Sequence, residues 1–232
     1  MRMERRLFIS GFASALAACA SGAKSQSDGV LIFGASRATG LETAKVLTAR
    51  GEKVTAFVRA SSDRSGLEPL KVSYAVGDAL NAQDVRAAFA GKKFNAVIST
   101  LGGKQGEPMP DFEGTKNLVD AAKAAGVKRV VIVTVLGPGD SMAVVPEQQR
   151  KALGRVIAVK EDAENYLIQS GLQYTILRPG QLTNLSANGK LLMSEKALSA
   201  KPITRADLGQ KVVDCLNDPK TIGKILYPSS TE

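Results

Sequence analysis

The chain has 232 residues, 44% hydrophobic and 23% charged, which fits one globular α/β domain with a large core. Its net charge of +9 favours anionic ligands or lipid headgroups, but dispersed basic residues and 5% aromatic residues argue against nucleic acid. The sequence has no histidine, which excludes histidine metal sites and imidazole-based triads, and we expect no metal.

The first 18 residues have the pattern of an export signal. Arg5 and Arg6 precede an apolar run that ends in small residues. That run is too short for a membrane span, which needs about 20 apolar residues. The paired arginines resemble a twin-arginine signal, and residues 16–19 resemble a bacterial lipobox in which Cys19 is lipidated.

This pattern predicts an export signal at 1–18, a tether at 19–28 and one domain at 29–232. The expected location is the periplasm or cell envelope, with the membrane contacted through Cys19. The alternatives are a cytoplasmic protein with a frayed terminal helix and an organellar protein with a transit peptide. The second cysteine, Cys215, lies in an apolar helical pattern and is expected to be a buried, inert thiol.

From residue 29 onward, strands and helices alternate along the chain. Short apolar runs predict strands at 29–33, 53–58, 72–76, 94–99, 129–134, 174–177 and 225–227. Amphipathic patterns predict helices at 38–50, 82–90, 112–125, 146–169 and 207–217, the last with Thr204 and Asp207 at helix-start spacing. The alternation predicts a Rossmann-like, doubly wound parallel sheet in a single α/β domain.

Three segments without clear periodicity follow the fourth, fifth and sixth strands: 102–111, 137–146 and 180–203. They would gather at the carboxyl ends of the strands, where open α/β sheets bind ligands.

The turn after the first strand is rich in glycine. Gly34 allows a tight turn, and Gly40 allows the helix to pack close to the sheet. The helix N-terminus presents free amides to a diphosphate. The turn therefore predicts a dinucleotide site, although its spacing is looser than the usual fingerprint. Its candidate cofactor-binding residues are Gly34, Ala35, Ser36, Arg37, Ala38, Thr39 and Gly40.

The end of the second strand indicates which dinucleotide is bound. NAD-binding proteins carry an acidic residue there, whereas this chain has Arg59. A guanidinium suits the 2′-phosphate of NADP(H), with Arg37, Ser61, Ser62 or Arg64 as further contacts. We therefore predict NADP(H) in preference to NAD(H). The alternative is a solvated surface arginine.

Several stretches together resemble one family. "GASRATG", "FVR", "VGDALN", "GTKNLVDAAKAAGVKRVV", "KEDAENYLIQSGLQYTILRPGQL" and "ITRADLG" are similar to the atypical short-chain dehydrogenase/reductases. The closer resemblance is to their NmrA-like and biliverdin reductase B-like NAD(P)H-binding group. It covers about residues 29–230 and is specific for the fold and the cofactor, not for a substrate.

The resemblance implies further cofactor-binding residues. Asp78 and Ala79 would lie by the adenine, and Thr100, Leu101 and Gly102 by the ribose and diphosphate. Thr134, Val135 and Lys160 would lie by the nicotinamide ribose, and Pro179 and Gly180 by the nicotinamide. Without it, Asp78 could equally cap the helix before Gln83, and Lys160 could form a surface pair with Glu164.

The chain departs from the family at the catalytic tyrosine. Classical members have a tyrosine four residues before the lysine as proton donor, and that position here is Val156. Tyr166 lies six residues after Lys160, off its helix face, and is expected to pack. Lys160 and Thr134, which keeps a hydroxyl after the fifth strand, remain the catalytic candidates.

Two functions are compatible with this departure. One is an NADPH-dependent reductase of a flavin, quinone or similar small acceptor, as in the biliverdin reductase B-like group. The other is a non-catalytic NADP(H) sensor or assembly scaffold, as among NmrA-like proteins. An open apolar cleft between 102–111 and 181–200 would favour the reductase. By analogy with this group, a monomer is slightly favoured.

Overall fold

The computed structural model of the protein describes residues 27–103 and 109–231. The predicted export signal and lipobox, and all but the end of the predicted tether, lie outside the described residues. Among the helices that are described, none is both long and apolar enough to cross a membrane.

The domain contains ten strands and five α-helices within the described residues. The strands are β1 Gly29–Phe33, β2 Val54–Val58, β3 Ser73–Val76, β4 Phe94–Ser99, β5 Arg129–Val133, β6 Gln173–Leu177, β7 Leu182–Thr183, β8 Leu191–Ser194, β9 Ile203–Thr204 and β10 Lys224–Ser230. The helices are α1 Ala38–Ala49, α2 Ala82–Phe89, α3 Glu113–Ala124, α4 Glu147–Gln169 and α5 Arg205–Asn217.

Eight strands form one sheet in the order β3-β2-β1-β4-β5-β6-β10-β8. All neighbours pair in parallel except β8, which is antiparallel to β10. The order reverses between β1 and β4, so a crevice opens at their carboxyl ends, the usual ligand position in such sheets. The doubly wound Rossmann fold is therefore confirmed.

Apolar side chains alternate between the two faces of the buried strands. Val30 and Ile32 of β1 belong to the core on the face covered by α1 and α5. Leu31 and Phe33 belong to the core on the face covered by α2, α3 and α4. A strand buried on both faces reads as a continuous apolar run, which is why the sequence predicts β1 so well.

The segment 180–203 has more structure than its sequence indicates. It contains β7, β8 and β9, and its pairing extends the last strand to Ser230, three residues beyond the predicted end. These strands are two to four residues long, which is too short for a periodic pattern to form.

Asp207 attaches this segment to the start of α5. Thr204 caps the helix by accepting from the Asp207 amide at 3.0 Å, and its hydroxyl donates to the Asp207 carboxylate at 2.7 Å, so the predicted helix start is confirmed. The amides of Asn188 and Gly189 donate to the same carboxylate, each at 3.0 Å. Burial raises the pKa of Asp207, but these hydrogen bonds outweigh it and the pKa is lowered overall.

Replacing Asp207 with asparagine should lower the free energy of unfolding by about 1–3 kcal/mol at neutral pH. A carboxylate with a lowered folded pKa stabilises the protein above its unfolded pKa of about 3.9, and this contribution is lost as the pH falls through the folded pKa. The gap between wild type and variant, measured by urea unfolding, should therefore shrink below about pH 4. Asp162→Asn, at an exposed position of α4, is the control. A gap that stays constant down to the acid unfolding limit would contradict the prediction.

Candidate functional site

The glycine-rich turn joins β1 to α1 in a tight, close-packed arrangement. Gly34 has a φ of +80°, a left-handed conformation that favours glycine. A Cβ on Gly40 would lie 2.2 Å from the Gly34 carbonyl oxygen and 2.6 Å from Thr100 Oγ1. The hydroxyl of Thr100 donates to the Gly34 carbonyl at 3.3 Å, which joins the turn to the end of β4. The turn thus approaches the strands too closely for a side chain at residue 40.

The N-terminus of α1 opens at this turn. Arg37 precedes the helix and provides no side-chain cap, so the first amides are left for another acceptor. Ala35 and Thr39 are buried, whereas Ser36 and Arg37 line a groove beside the turn. A helix N-terminus with free amides suits a diphosphate.

The groove runs along the carboxyl ends of β2, β1 and β4. Most predicted adenine and phosphate contacts line it: Gly34, Ser36, Arg37, Arg59, Asp78, Ala79, Thr100, Leu101 and Gly102. It is also lined by Phe57, Val58, Gly77, Leu80, Gly103 and Pro110, which the sequence did not single out, and by Ser62, which it offered as one of several contacts. The family stretches "FVR" and "VGDALN" include the first four of these missed residues, so they were the available signal.

Two arginines stand on this groove. Arg59 is exposed at the end of β2, where its amide donates to Ser62 Oγ at 3.1 Å and orders the turn. Arg37 Nη2 donates to the Gly102 carbonyl at 3.0 Å, across the space between the glycine-rich turn and β4. These two guanidinium groups outnumber the one carboxylate on the groove's described lining, Asp78, and the positive balance favours a phosphorylated ligand.

Asp78 does not cap α2, so that alternative is wrong. Asn81 is the cap, and its side chain accepts from the Gln83 amide at 2.9 Å. Asp78 Oδ1 accepts from the Leu80 amide, and the Asp78 amide donates to Asp84, each at 2.9 Å. These bonds fix Asp78 on the wall of the groove.

Lys160 is a buried residue rather than half of a surface pair with Glu164, so that alternative is also wrong. Its Nζ lies 2.6 Å from Asp111 Oδ1 and donates to the Leu101 carbonyl at 3.0 Å. Asp111 is buried as well and accepts from the Gly103 amide at 3.2 Å. The lysine is thereby held at the carboxyl end of β4, beside the groove.

Glu164 belongs to a buried network at the ends of β5 and β6. It is fully buried and accepts from Arg178 Nε at 3.0 Å and from Arg178 Nη2. Arg178 Nη1 also donates to the Pro138 carbonyl and to the Tyr227 hydroxyl, both at 2.9 Å. Burial lowers the pKa of Arg178, but the hydrogen bonds and charge of Glu164 outweigh it and raise the pKa overall. The network joins α4, β6, β10 and the loop after β5.

Thr134 is part of this network. Its hydroxyl donates to Glu164 Oε1 at 2.5 Å and lies 3.3 Å from the Leu177 carbonyl. The proton that the sequence offered for chemistry is thus directed at a buried carboxylate. A catalytic role for Thr134 stays a prediction that this geometry does not favour.

Pro179 and Gly180 continue from β6 at the same edge of the sheet. The Pro179 carbonyl accepts from the Leu136 amide at 2.8 Å, and a Cβ on Gly180 would lie 3.2 Å from the Ala200 carbonyl oxygen. Neither residue lines the groove described above, and their predicted place beside the nicotinamide stays a prediction. The predicted cleft there includes 104–108, outside the described residues, and stays a prediction.

The tyrosine that would complete the usual reductase chemistry is missing beside Lys160. Val156 occupies the tyrosine position on α4. Tyr166 instead donates to Asp120 at 2.6 Å and packs edge-on against Phe112, so the packing role is confirmed. The hydrogen bond to Asp120 raises the pKa of Tyr166, which holds its proton in place.

Cys215 is the one cysteine within the described residues. It is buried on α5, and burial raises its thiol pKa to about 11. Because the thiolate is the reactive form, this residue is inert, as predicted.

The groove can be tested for its fit to a dinucleotide without reference to any relative. It offers a helix N-terminus, a tight turn in which Gly40 lets the helix pack against the end of β4, and guanidinium groups on its wall. These features match the diphosphate and any further phosphate of such a cofactor. The residues therefore fit the group.

Comparisons with known proteins agree with this geometry. The model of the family described as NAD(P)H-binding matches residues 34–219, more than half of the chain. The chloroplastic protein At2g34460 of Arabidopsis thaliana is 30% identical over 209 residues, which is 85% of this chain and 75% of that protein.

Two further relatives are named as reductases. The structure of the anaerobilin reductase ChuY of Escherichia coli superposes with a TM-score of 0.78 at 31% identity, covering 88% of this chain and 97% of that one. Sanguinarine reductase of Eschscholzia californica is 34% identical over 113 residues, which is 46% of this chain and 40% of that protein. The chain therefore belongs to the NAD(P)H-binding family, within the atypical short-chain dehydrogenase/reductases, and it binds NAD(P)H.

Proposed function

We propose that this protein is an NADPH-dependent reductase of a flavin, quinone or similar conjugated small acceptor. The observation that carries the proposal is the site around Lys160, where the lysine is in place but Val156 replaces the tyrosine that would protonate a carbonyl. The bound cofactor supplies the hydride. A conjugated acceptor can take its proton from water, so the protein's own residues need only hold the cofactor and orient the acceptor beside it.

Each part of the chain has a defined role under this proposal. The turn from Gly34 to Gly40 and the N-terminus of α1 would hold the diphosphate. Arg59 would contact the 2′-phosphate, which gives the preference for NADP(H). Lys160, fixed by Asp111 and the Leu101 carbonyl, would hold the nicotinamide ribose. The two relatives that are named as reductases support the reaction class.

A non-catalytic NADP(H) sensor or scaffold is the second candidate. It is favoured by the ion pair between Lys160 and Asp111 and by the Thr134 hydrogen bond to Glu164. These interactions engage the Lys160 ammonium and the Thr134 hydroxyl, the two groups that a catalytic step would use. In this role the bound dinucleotide would report on the redox state of its surroundings or hold a partner in place.

Turnover measurements separate the two candidates. With NADPH at saturation, we expect oxidised flavin mononucleotide or a benzoquinone to accelerate loss of absorbance at 340 nm. A simple aldehyde should not, because valine at position 156 cannot protonate its oxygen as a tyrosine would. Tight NADPH binding with no acceleration by any acceptor would contradict the reductase and favour the sensor. Reduction of the aldehyde at the rate of the quinone would contradict the argument from Val156.

We also propose that residues 1–18 direct export and that Cys19 carries a lipid anchor. The support is the sequence pattern alone, Arg5 and Arg6 before an apolar run and a cysteine after small residues. The chain would then meet its acceptor at the cell envelope.

A further inference from the structure

The edge of the sheet opposite the cofactor groove is lined by lysines. Three helix-to-strand turns repeat a glycine followed two residues later by a lysine, which directly precedes the strand. These pairs are Gly51 and Lys53 before β2, Gly91 and Lys93 before β4, and Gly126 and Lys128 before β5. Lys71 stands two residues before β3, and Lys92 is next to Lys93. We call Lys53, Lys71, Lys92, Lys93 and Lys128 the lysine edge.

Little in the described part of the chain neutralises these five side chains. All are exposed, and Lys53, Lys71 and Lys92 line one shallow groove together with Asp28 and Glu52. Lys92 lies 3.6 Å from Asp28, while Lys71, Lys93 and Lys128 have no ion pair to a described carboxylate. The result is a net positive surface that spans the amino ends of four neighbouring strands and β1 between them.

The start of the domain is attached at the same edge. The Asp28 amide donates to the Lys93 carbonyl at 3.0 Å, and the Lys93 amide donates to Asp28 at 2.6 Å. Lys53 Nζ donates to the Ser27 carbonyl at 3.3 Å. Whatever precedes Ser27 therefore leaves the domain from the lysine edge. Cys19 is eight residues earlier, so an anchor there would lie within about 28 Å of this surface.

A lysine after a helix can also serve a purely structural purpose. Cations near a helix C-terminus interact favourably with its dipole. This accounts for Lys53, Lys93 and Lys128 as stabilising residues, but not for Lys71, which follows only a short 3-10 turn. A purely structural role predicts that loss of these lysines lowers stability without changing binding to an anionic surface.

We propose that the lysine edge docks on the surface of an anionic phospholipid bilayer. This rests on the proposed anchor at Cys19 for its orientation, since the chain enters the domain at this edge. A lysine close to an anionic bilayer contributes about 1 kcal/mol, within a Debye length of the surface. Docked in this way, the protein turns the carboxyl edge and the cofactor groove away from the lipid, where a small acceptor can enter.

The residues around the lysine edge favour lipid over nucleic acid. The groove that contains Lys53, Lys71 and Lys92 is lined by no aromatic side chain among its described residues. Binding of single-stranded nucleic acid relies on aromatic side chains that stack on bases. Headgroup attraction needs only exposed, flexible ammonium groups, which the lysine edge supplies.

The test uses the full chain carrying Cys19→Ala, which cannot be lipidated, and sedimentation with two kinds of vesicle. One is pure phosphatidylcholine, and the other mixes phosphatidylcholine with phosphatidylglycerol. We expect binding to the anionic vesicles only, lost at high salt. The variant with Lys71→Glu, Lys93→Glu and Lys128→Glu should bind at least about a hundredfold more weakly, from about 1 kcal/mol for each lysine removed.

The control reverses three exposed basic residues of α4 instead, by Arg150→Glu, Lys151→Glu and Arg155→Glu. It changes the net charge equally and should keep most of the binding. Equal losses in both variants, no binding by the parent chain, or displacement of the vesicles by duplex DNA would overturn the proposal. A second triple variant carries glutamine instead of glutamate at Lys71, Lys93 and Lys128. Comparing the thermal unfolding of both triple variants with that of the parent chain distinguishes a folding defect from lost docking.

The anchor and the docking surface can fail separately. Retention of the unaltered chain on cell membranes at high salt, with release of the Cys19→Ala chain, supports the anchor. Vesicle binding by the Cys19→Ala chain supports the lysine edge, whatever the result for the anchor. Normal NADPH turnover in the lysine-edge variant would show that the proposed reductase activity does not depend on docking.

Discussion

Replacing Glu164 with alanine is expected to lower the free energy of unfolding by about 3–5 kcal/mol. Glu164 is fully buried, and its carboxylate is the partner of the buried Arg178 guanidinium. Removing it leaves a cation in the core without its counter-charge and leaves the Thr134 hydroxyl with only the Leu177 carbonyl, at 3.3 Å, as an acceptor. An uncompensated buried charge costs much more than the lost contact alone, because water cannot reach it.

Chemical denaturation of three variants tests this interpretation. Asp162→Ala, at an exposed site on the same helix, should change stability by less than about 0.5 kcal/mol. The double variant Glu164→Leu with Arg178→Met should be less destabilised than Glu164→Ala, because it removes both charges. If the double variant were as unstable as Glu164→Ala or more so, packing rather than charge would explain the effect.

Replacing Arg59 with alanine is expected to weaken NADPH binding by about tenfold to thirtyfold and to leave NADH binding unchanged. A hydrogen bond to a charged group contributes about 1.5–3 kcal/mol, and Arg59 is exposed, so the lower part of that range applies. Only NADPH carries the 2′-phosphate that this guanidinium would contact. Raising the salt concentration should reduce the difference between the cofactors in the wild type.

Fluorescence titration of both cofactors provides the measurement. Arg64→Ala is the matched control, because Arg64 stacks over the Tyr74 ring at 5.0 Å and does not line the groove. Equal losses for NADPH and NADH would mean that Arg59 acts on a part that the cofactors share. No loss for either would mean that Arg59 is a solvated surface residue, and the prediction of NADP preference would be wrong.

The sequence predicts the sheet well because buried strands depend on local composition. The starts and ends of β1, β2 and β4 lie within one residue of the apolar runs that predict them. The two-residue strands β7 and β9 depend on pairing with each other across the intervening chain, and nothing local indicates them.

In the candidate site, too, the sequence predicts local motifs but not contacts between distant parts of the chain. The adenine side follows from the glycine-rich turn and from "VGDALN", because each is a short local motif. The partners of Lys160 and Glu164 do not follow, because Asp111 is 49 residues from Lys160 and Arg178 is 14 residues from Glu164. A hint was present in the spacing of Lys160 and Glu164, which places two charged residues on one helix face that also carries the buried Ile157 and Leu167. Charged residues on an inward face require buried partners, and only the fold identifies them.

Sequestering Cys215 has a consequence for where the protein can operate. The sequence has two cysteines, and lipidation would consume Cys19. The remaining thiol, that of Cys215, has a pKa of about 11 and offers almost no thiolate at neutral pH to an oxidant or to a second copy of the chain. The covalent structure of the folded domain would therefore be the same in an oxidising and in a reducing compartment. Its maturation would need no disulfide catalyst on either side of a membrane.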